Sequence, residues 1–176
     1  MIMEKAKGLD YAKSQVEEFH RAFYHPISEK PTPIPEDVSL ARTIWTAEEL
    51  VEFLYATAGG NKTKFYGLVT ELIRGIIAAE SKVIKKGPVE DILVDQMDAL
   101  TDVNYFVQGS FVVAGVKPQP LFDIVQDANM AKLFPDGKPR YDLGNSGKIL
   151  KPEGWQPPEP KIKAEIENQI KKSEEH

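Results

Sequence analysis

Apolar residues recur at helical spacing through most of the chain. In the segment LDYAKSQVEEFHRAFY, residues 9–24, they fall at Ala12, Val16, Phe19 and Phe23, a period of three to four residues that predicts an amphipathic helix. No segment alternates apolar and polar residues as a half-buried strand does, so the pattern predicts an all-α bundle. The same criterion predicts four more helices, over Val38–Ala56, Phe65–Ile84, Val89–Ala114 and Pro120–Leu133.

Helix-breaking residues bound these segments. Pro26 ends the first pattern, and the sequence PTPIPE at 31–36 predicts an extended connector, because proline disfavours helix in the residue before it. Glycine-rich or Gly-Pro breaks at 59–61 and 87–88 separate the next helices. In the second helix the pattern predicts five inward-facing side chains: Leu40, Ile44, Leu50, Phe53 and Leu54.

The region from 134 onward has a different character. Its turn signals, Pro-Asp-Gly and Gly-Asn-Ser-Gly, predict an ordered loop or a short hairpin as far as Trp155. The charged tail that follows is either a frayed helix or disordered. We interpret residues 1–176 as a single all-α domain, with a core at about 9–133, a loop segment at 134–162 and a charged tail at 163–176.

Composition then narrows the function classes. The absence of cysteine excludes a disulfide framework, a thiol nucleophile and a thiolate metal site. The net charge of −5 argues against binding a nucleic acid polymer, although not against binding a single nucleotide. The longest apolar stretch, Phe106–Val116, is too short to span a bilayer. The first ten residues contain acids and no apolar core of a signal peptide, so we expect a cytoplasmic protein with no membrane partner.

Two acidic clusters carry the chemical signal. Glu49 and Glu52 are three residues apart and Glu48 and Glu52 are four apart, so a helix places all three on one face. Four aspartates follow at offsets of 4, 3 and 4 on a helix that is otherwise largely apolar: Asp91, Asp95, Asp98 and Asp102. Like charges at these spacings destabilise a helix unless a cation neutralises them. Carboxylates on two facing helices predict a Mg²⁺ site, with Mn²⁺ as an alternative ion.

Other interpretations of the acids remain open. Thr46 and Glu49 have the spacing of a capping box, which would make Glu49 the cap of an internal helix start. The glutamates could also form an ordinary solvated face. Glu71, on the third predicted helix, has Arg74 rather than a carboxylate three residues on, so we interpret it as a surface residue.

The segments SLARTIWTAEELVEF and DQMDALTDVNYF together resemble the all-α NTP pyrophosphohydrolases, a superfamily of MazG-like and phosphoribosyl-ATP pyrophosphohydrolase-like proteins. Their motif is E-x-x-E, often with a preceding Glu, on one helix and E-x-x-D on another. Here the first half is complete, whereas Asp95 stands where the second half usually has glutamate. The resemblance implies a MazG-like helical bundle that hydrolyses a nucleoside triphosphate to monophosphate and pyrophosphate.

The C-terminal segments NMAKL, DGKP, GK and WQPP strengthen the resemblance, which covers most of residues 12–162. It implies metal ligands at Glu49, Glu52, Asp95, Asp98 and Asp102, with Glu48 as the group that orients or deprotonates the attacking water. It also implies substrate binding by Asn129, Lys132, Lys138, Lys148 and Lys151. Members are usually homodimers or dimers of dimers, and the expected substrate is dUTP or another house-cleaning nucleotide. The alternatives are a weakly active or inactive nucleotide- or metal-binding protein and a purely structural helical protein.

Overall fold

The computed structural model describes residues 8–142, 144 and 147–175, and this part of the chain is almost entirely helical. The prediction of an all-α fold is confirmed. A 3₁₀ turn at Ile84–Lys86 prolongs the third helix, and the strands β1 (Tyr141–Asp142) and β2 (Lys148–Ile149) form an antiparallel pair. The helices are α1 (Leu9–Ala22), α2 (Glu36–Thr57), α3 (Lys62–Val83), α4 (Ile92–Ala114), α5 (Pro118–Met130) and α6 (Glu159–Glu174).

The helix boundaries follow from local capping chemistry. The α3 helix begins after Asn61, whose side chain accepts a hydrogen bond from the backbone N–H of Lys64 at 3.0 Å. The α4 helix begins three residues later than predicted, because Asp91 accepts from the N–H of Val94 at 3.1 Å and so acts as its N-cap. The α1 helix ends at Ala22, and Tyr24 then adopts a left-handed φ of 55°.

The chain divides into two compact units, which we describe separately. The first unit comprises the described residues up to Lys30 and from Asp102 onward; the second comprises Pro31–Thr101. Helix α4 begins in the second unit and ends in the first. The assignment of a single domain to the whole chain stays a prediction.

In the first unit, α1 packs against α5 through a polar network as well as through apolar contacts. Gln126 is only 7% exposed, and its amide donates to the backbone carbonyl of Gln15 at 2.7 Å. The side chains of Gln15 and Gln119 both donate to Asp123, at 2.7 and 2.9 Å. Because its buried polar group is satisfied, Gln126 contributes to the packing instead of opposing it. Phe23, 1% exposed, stacks on Phe19 at the end of α1 with the ring centroids 4.2 Å apart.

The charged tail is a helix, so the alternative of a disordered tail is wrong. Helix α6 packs against α5, and its Gln169 is anchored to the backbone of Lys117. The Gln169 carboxamide accepts from the Lys117 N–H at 2.8 Å and donates to the Lys117 carbonyl at 3.2 Å. Hydrogen bonds from Gln169 and Asn168 also lower the pKa of Glu165. The anchor explains why a segment of high charge density remains ordered.

The predicted hairpin is present and is fixed to the first unit at two points. In the β1–β2 pair, Tyr141 lies opposite Ile149, and the Tyr141 hydroxyl donates to the backbone carbonyl of Phe23. After the hairpin, the indole N–H of Trp155 donates to the carbonyl of Ala128 at 2.9 Å. These two bonds attach the turn-rich segment to the ends of α1 and α5.

The second unit is built mainly from α2 packed against α3. The rings of Tyr55 and Phe65 meet edge to face at 5.2 Å near the turn that joins the two helices, and Ala58 in that turn is buried. Of the five α2 side chains predicted to face inward, four are exposed in the single chain, and that prediction is wrong for it: Leu40, Ile44, Leu50 and Phe53. The reason is that one chain gives α2 few neighbours besides α3.

Within the described residues, none of the helices is long and apolar enough to traverse a membrane.

Candidate active site

The α2 acids project from an uninterrupted helix. Helix α2 continues through Thr46, whose hydroxyl donates to the carbonyl of Arg42 at 3.0 Å. The capping-box interpretation of Thr46 and Glu49 is therefore wrong, because no helix starts there. Glu48, Glu49 and Glu52 are exposed, and within the described part of the chain none of them has a side-chain hydrogen bond or an ion pair.

The α4 acids divide into one structural residue and three others. Asp91 is used as the helix N-cap. Asp95, Asp98 and Asp102 are exposed along one stripe of α4, and no hydrogen bond or ion pair to their carboxylates occurs among the described residues. In contrast, Glu71 on α3 pairs with Arg74 at 2.6 Å, as expected for a surface residue.

Six carboxylates on two helices thus have no neutralising partner in the described structure. Carboxylate oxygens are the ligands that Mg²⁺ and Mn²⁺ prefer, so the chemistry of this donor set fits a divalent cation. Among the described residues of the single chain, however, no three acidic or histidine side chains come close enough together to hold a metal ion. The carboxylates predicted to bind the metal are therefore present on the two helices, but the described residues of one chain do not assemble them into a metal site.

Gln96, which lies between Asp95 and Asp98 on α4, was not singled out by sequence reasoning. Its carboxamide accepts from the backbone N–H of Ile34 at 2.8 Å and donates to the Ile34 carbonyl at 3.0 Å. This two-point pairing fixes the proline-rich connector to the first turns of α4. A glutamine on an acidic helix gives no sequence signal for such a contact, because its partner is backbone 62 residues away.

The predicted substrate-binding residues lie in the first unit, and the structure brings two of them together. The ammonium group of Lys132 donates to the side-chain oxygen of Asn129 at 2.8 Å at the end of α5. Lys151 lies over the ring of Trp155, with its Nζ 3.9 Å from the ring centroid, a cation–π contact. Lys132 and Lys151 are therefore held by neighbours and do not extend freely into solvent.

The remaining two lysines lie on the turn-rich segment. Lys138 is exposed at the end of a tight turn in which its backbone N–H donates to Asp136 at 3.1 Å, and Gly137 supplies the positive φ of 74° that the turn requires. Lys148 is exposed on β2 opposite Asp142. The same segment presents Arg140, which sequence reasoning passed over; its guanidinium lies 4.0 Å from the Phe134 ring centroid and 3.6 Å from Asp136.

Comparison with known proteins identifies the family of the chain. The family model of phosphoribosyl-ATP pyrophosphohydrolase matches residues 16–129, a span that contains all six unpartnered carboxylates. The chain belongs to the phosphoribosyl-ATP pyrophosphohydrolase family. The family match ends at Asn129, so all four of the predicted substrate-binding lysines lie outside it.

A solved structure extends the likeness to almost the whole chain. The crystal structure of a proposed NTP pyrophosphohydrolase from Exiguobacterium sp. 255-15 is 44% identical, covers 92% of this chain and 97% of its own, and superimposes with a TM-score of 0.86. Comparison with the curated proteins gives no match. Family membership and this structure support NTP pyrophosphohydrolase activity in general.

Proposed function

We propose that this protein is a Mg²⁺-dependent pyrophosphohydrolase that converts a nucleoside or deoxynucleoside triphosphate to the monophosphate and pyrophosphate. The observation that carries the proposal is the set of exposed carboxylates without partners on α2 and α4, inside the span matched by the family model. Their clustering on helix faces distinguishes these acids, because isolated exposed acids elsewhere in the described chain are either paired with a cation, as Glu71 is, or stand alone, as Glu80 does. Unneutralised charge on two largely apolar helices is unfavourable unless a cation binds there.

Each acid has a proposed role. Glu49, Glu52, Asp95 and Asp98 hold the metal with help from Asp102, and Mn²⁺ could replace Mg²⁺. Glu48 orients the attacking water and accepts its proton, because it adjoins Glu49 in the chain and has no side-chain partner among the described residues. When bound, the cation supplies positive charge beside the phosphate oxygens.

The proposed substrate contacts come from the end of α5 and the turn-rich segment. Lysine is a compact charge that suits phosphate oxygens, so Lys132, Lys138, Lys148 and Lys151 stabilise the negative charge of the departing pyrophosphate. Asn129 offers a donor and an acceptor to the base or the sugar, and its bond to Lys132 orients both side chains. We propose dUTP or another house-cleaning deoxynucleotide as the substrate.

We further propose that the active form is a homodimer or a dimer of dimers, with no nucleic acid or membrane partner. Helix α4 supports this, because its exposed apolar side chains lie on every side of the helix at 100° per residue. The most exposed are Val113 (90%), Val112 (79%), Tyr105 (75%) and Phe106 (72%). A helix with exposed apolar side chains on every side is ordinarily enclosed by other helices, and a second copy of the chain would supply them.

The test is a panel of the common NTPs and dNTPs with Mg²⁺, scored for pyrophosphate. Because attack occurs at the α-phosphorus, hydrolysis in ¹⁸O-water should label the monophosphate and leave the pyrophosphate unlabelled. Label in inorganic phosphate would place the protein in a different reaction class.

A second candidate, an inactive nucleotide- or metal-binding protein, is favoured by one observation: Asp95 stands at a motif position that usually holds glutamate. This candidate predicts stabilisation by Mg²⁺ and nucleotide without pyrophosphate release from any member of the panel. Replacing Asp95 with glutamate would then restore turnover.

A further inference from the structure

The connector before α2 is hydrogen-bonded to α4 at Ile34. In the sequence Pro31-Thr32-Pro33-Ile34-Pro35 the prolines have no N–H to donate. Ile34 lies between two of them and is held extended, because proline restricts both its own φ and the residue before it. Its N–H and C=O are both taken by the Gln96 carboxamide, at 2.8 and 3.0 Å. The Gln96 side chain thus pairs with the backbone of the connector much as a neighbouring strand would.

This contact joins the N-terminal ends of α2 and α4, the two helices that carry the acidic clusters. Helix α2 starts at Glu36, two residues after Ile34, and Gln96 lies in the second turn of α4. Asp95 precedes Gln96 by one residue and Asp98 follows it by two. At 100° per residue, the midpoint of these two carboxylates lies about 130° around the helix from Gln96. Holding Gln96 on the connector therefore fixes the direction in which the carboxylates project.

We infer that Gln96 is a positioning residue for the metal ligands Asp95 and Asp98, an inference that rests on the proposed function. It sets the rotation of α4 about its axis relative to the start of α2. Groups that orient metal ligands without touching the metal typically change metal affinity or activity by 10- to 100-fold when removed. Loss of the Gln96 hydrogen bonds should therefore weaken metal binding as well as lower the thermal stability of the protein.

The chain contains a matched control for this inference. Gln169 on α6 makes the same two-point pairing with the backbone of Lys117, at 2.8 and 3.2 Å. Its nearest acidic neighbour, Glu165, accepts its hydrogen bond and is not among the proposed ligands. Gln96→Met and Gln169→Met each delete one such two-point pairing while preserving side-chain length. The two variants should lose comparable thermal stability.

The experiment measures Mg²⁺ and Mn²⁺ affinity from the metal-induced rise in melting temperature, together with kcat. Gln96→Met should weaken metal binding by about tenfold and lower kcat, whereas Gln169→Met should leave metal affinity within about twofold. Ile34→Pro deletes the N–H donor of this pair of hydrogen bonds, and its metal affinity should lie between those of Gln96→Met and wild type. It provides the test if Gln96→Met does not fold. Equal metal affinities in the Gln96 and Gln169 variants, or in wild type and Ile34→Pro, would overturn the inference. Wild-type protein that binds neither ion and releases no pyrophosphate would instead overturn the proposed function.

Discussion

The α1–α5–α6 assembly of the first unit and the α2–α3 pair of the second satisfy their polar and apolar groups very differently. In the α1–α5–α6 assembly and the segment attached to it, buried amides such as Gln126 have partners, a tyrosine hydroxyl and an indole N–H bond to backbone carbonyls, and even the charged tail is anchored. In the second unit, α2 exposes Leu40, Phe53 and the three glutamates. The α1–α5–α6 assembly therefore already has the contacts of a completed scaffold. The α2–α3 pair has surfaces that metal ions, substrate or another copy of the chain would complete.

The largest effect in this comparison should come from an acid without a partner. Asp98→Asn preserves size but removes a charged oxygen ligand, so kcat should fall by about 10²-fold or more. Metal-induced stabilisation should fall with it; for wild type this is roughly 2.7 kcal/mol at a hundredfold excess of metal over Kd. Pyrophosphate release and thermal melting with and without millimolar Mg²⁺ measure both quantities.

Glu80→Gln on α3 is the matched control, because Glu80 is an exposed acid outside both clusters. It should leave kcat and the metal response unchanged. Normal catalysis in Asp98→Asn would show that the aspartate stripe has no part in the chemistry.

The next effect concerns the exposed apolar surface of α4. Val113 is 90% exposed in the single chain, so a charge there costs little in a monomer but is strongly unfavourable inside an interface. Val113→Asp should shift the sedimentation mass from oligomer to monomer and lower the melting temperature. Ser28→Asp adds the same charge to an exposed loop of the same unit and should change neither. A wild-type protein that sediments as a monomer at micromolar concentration would contradict the proposed assembly.

A smaller effect separates the lysines from the acids. Lys132→Ala removes a proposed phosphate contact that is made to the bound substrate and to the departing pyrophosphate alike. Its cost should therefore appear mainly as a rise in KM of about tenfold, from the loss of one charge-assisted hydrogen bond of roughly 1.5 kcal/mol. Metal-induced stabilisation should remain, because the lysine does not bind the cation. Lys163→Ala, an exposed lysine on α6, is the control. Loss of metal stabilisation in Lys132→Ala alone would mean that the roles of lysines and acids have been misassigned.

The sequence was sufficient to predict the five main helices, because apolar spacing and Gly or Pro breaks are local signals. It misplaced the start of α4 because Asp91 seemed to belong to the acidic stripe, whereas it caps the helix. Burial was the larger failure. The periodicity of α2 predicts that Leu40 and Phe53 pack against apolar neighbours. It does not indicate whether those neighbours belong to the same chain, and in the single chain both side chains are exposed.

The acidic residues of the candidate site were predictable, because charge spacing on a helix is visible in sequence. The contacts that orient them were not. The Gln96 side chain is hydrogen-bonded to the backbone N–H and carbonyl of Ile34. Every residue other than proline has the same backbone groups, so the sequence gives no signal for such a contact. The sequence left the charged tail open between a frayed helix and disorder for the same reason, since the anchor of α6 is the backbone of Lys117.

The smallest predicted effect is the pH dependence of the stability that the Tyr141–Phe23 hydrogen bond gives the first unit. Burial, with a smaller contribution from Tyr24, raises the pKa of Tyr141 above its usual value of 10.0. The folded protein therefore holds the phenol proton more firmly than the unfolded chain does. The stabilisation is fully present below pH 10 and is lost as pH rises through the raised pKa. Tyr141→Phe deletes the hydroxyl bond to Phe23 and should reduce the free energy of unfolding by about 1 kcal/mol at pH 7.

Denaturant unfolding of both proteins at one fixed concentration, between pH 7 and pH 11, measures this difference directly. The wild-type advantage should be constant to about pH 9 and should shrink above pH 10, because only wild type loses the Tyr141 contribution. Tyr66→Phe, at a tyrosine 65% exposed on α3, should show little difference from wild type at any pH. A Tyr141 difference that persists undiminished at pH 11 would mean that the hydroxyl stabilises the hairpin attachment by packing and not as a proton donor to Phe23.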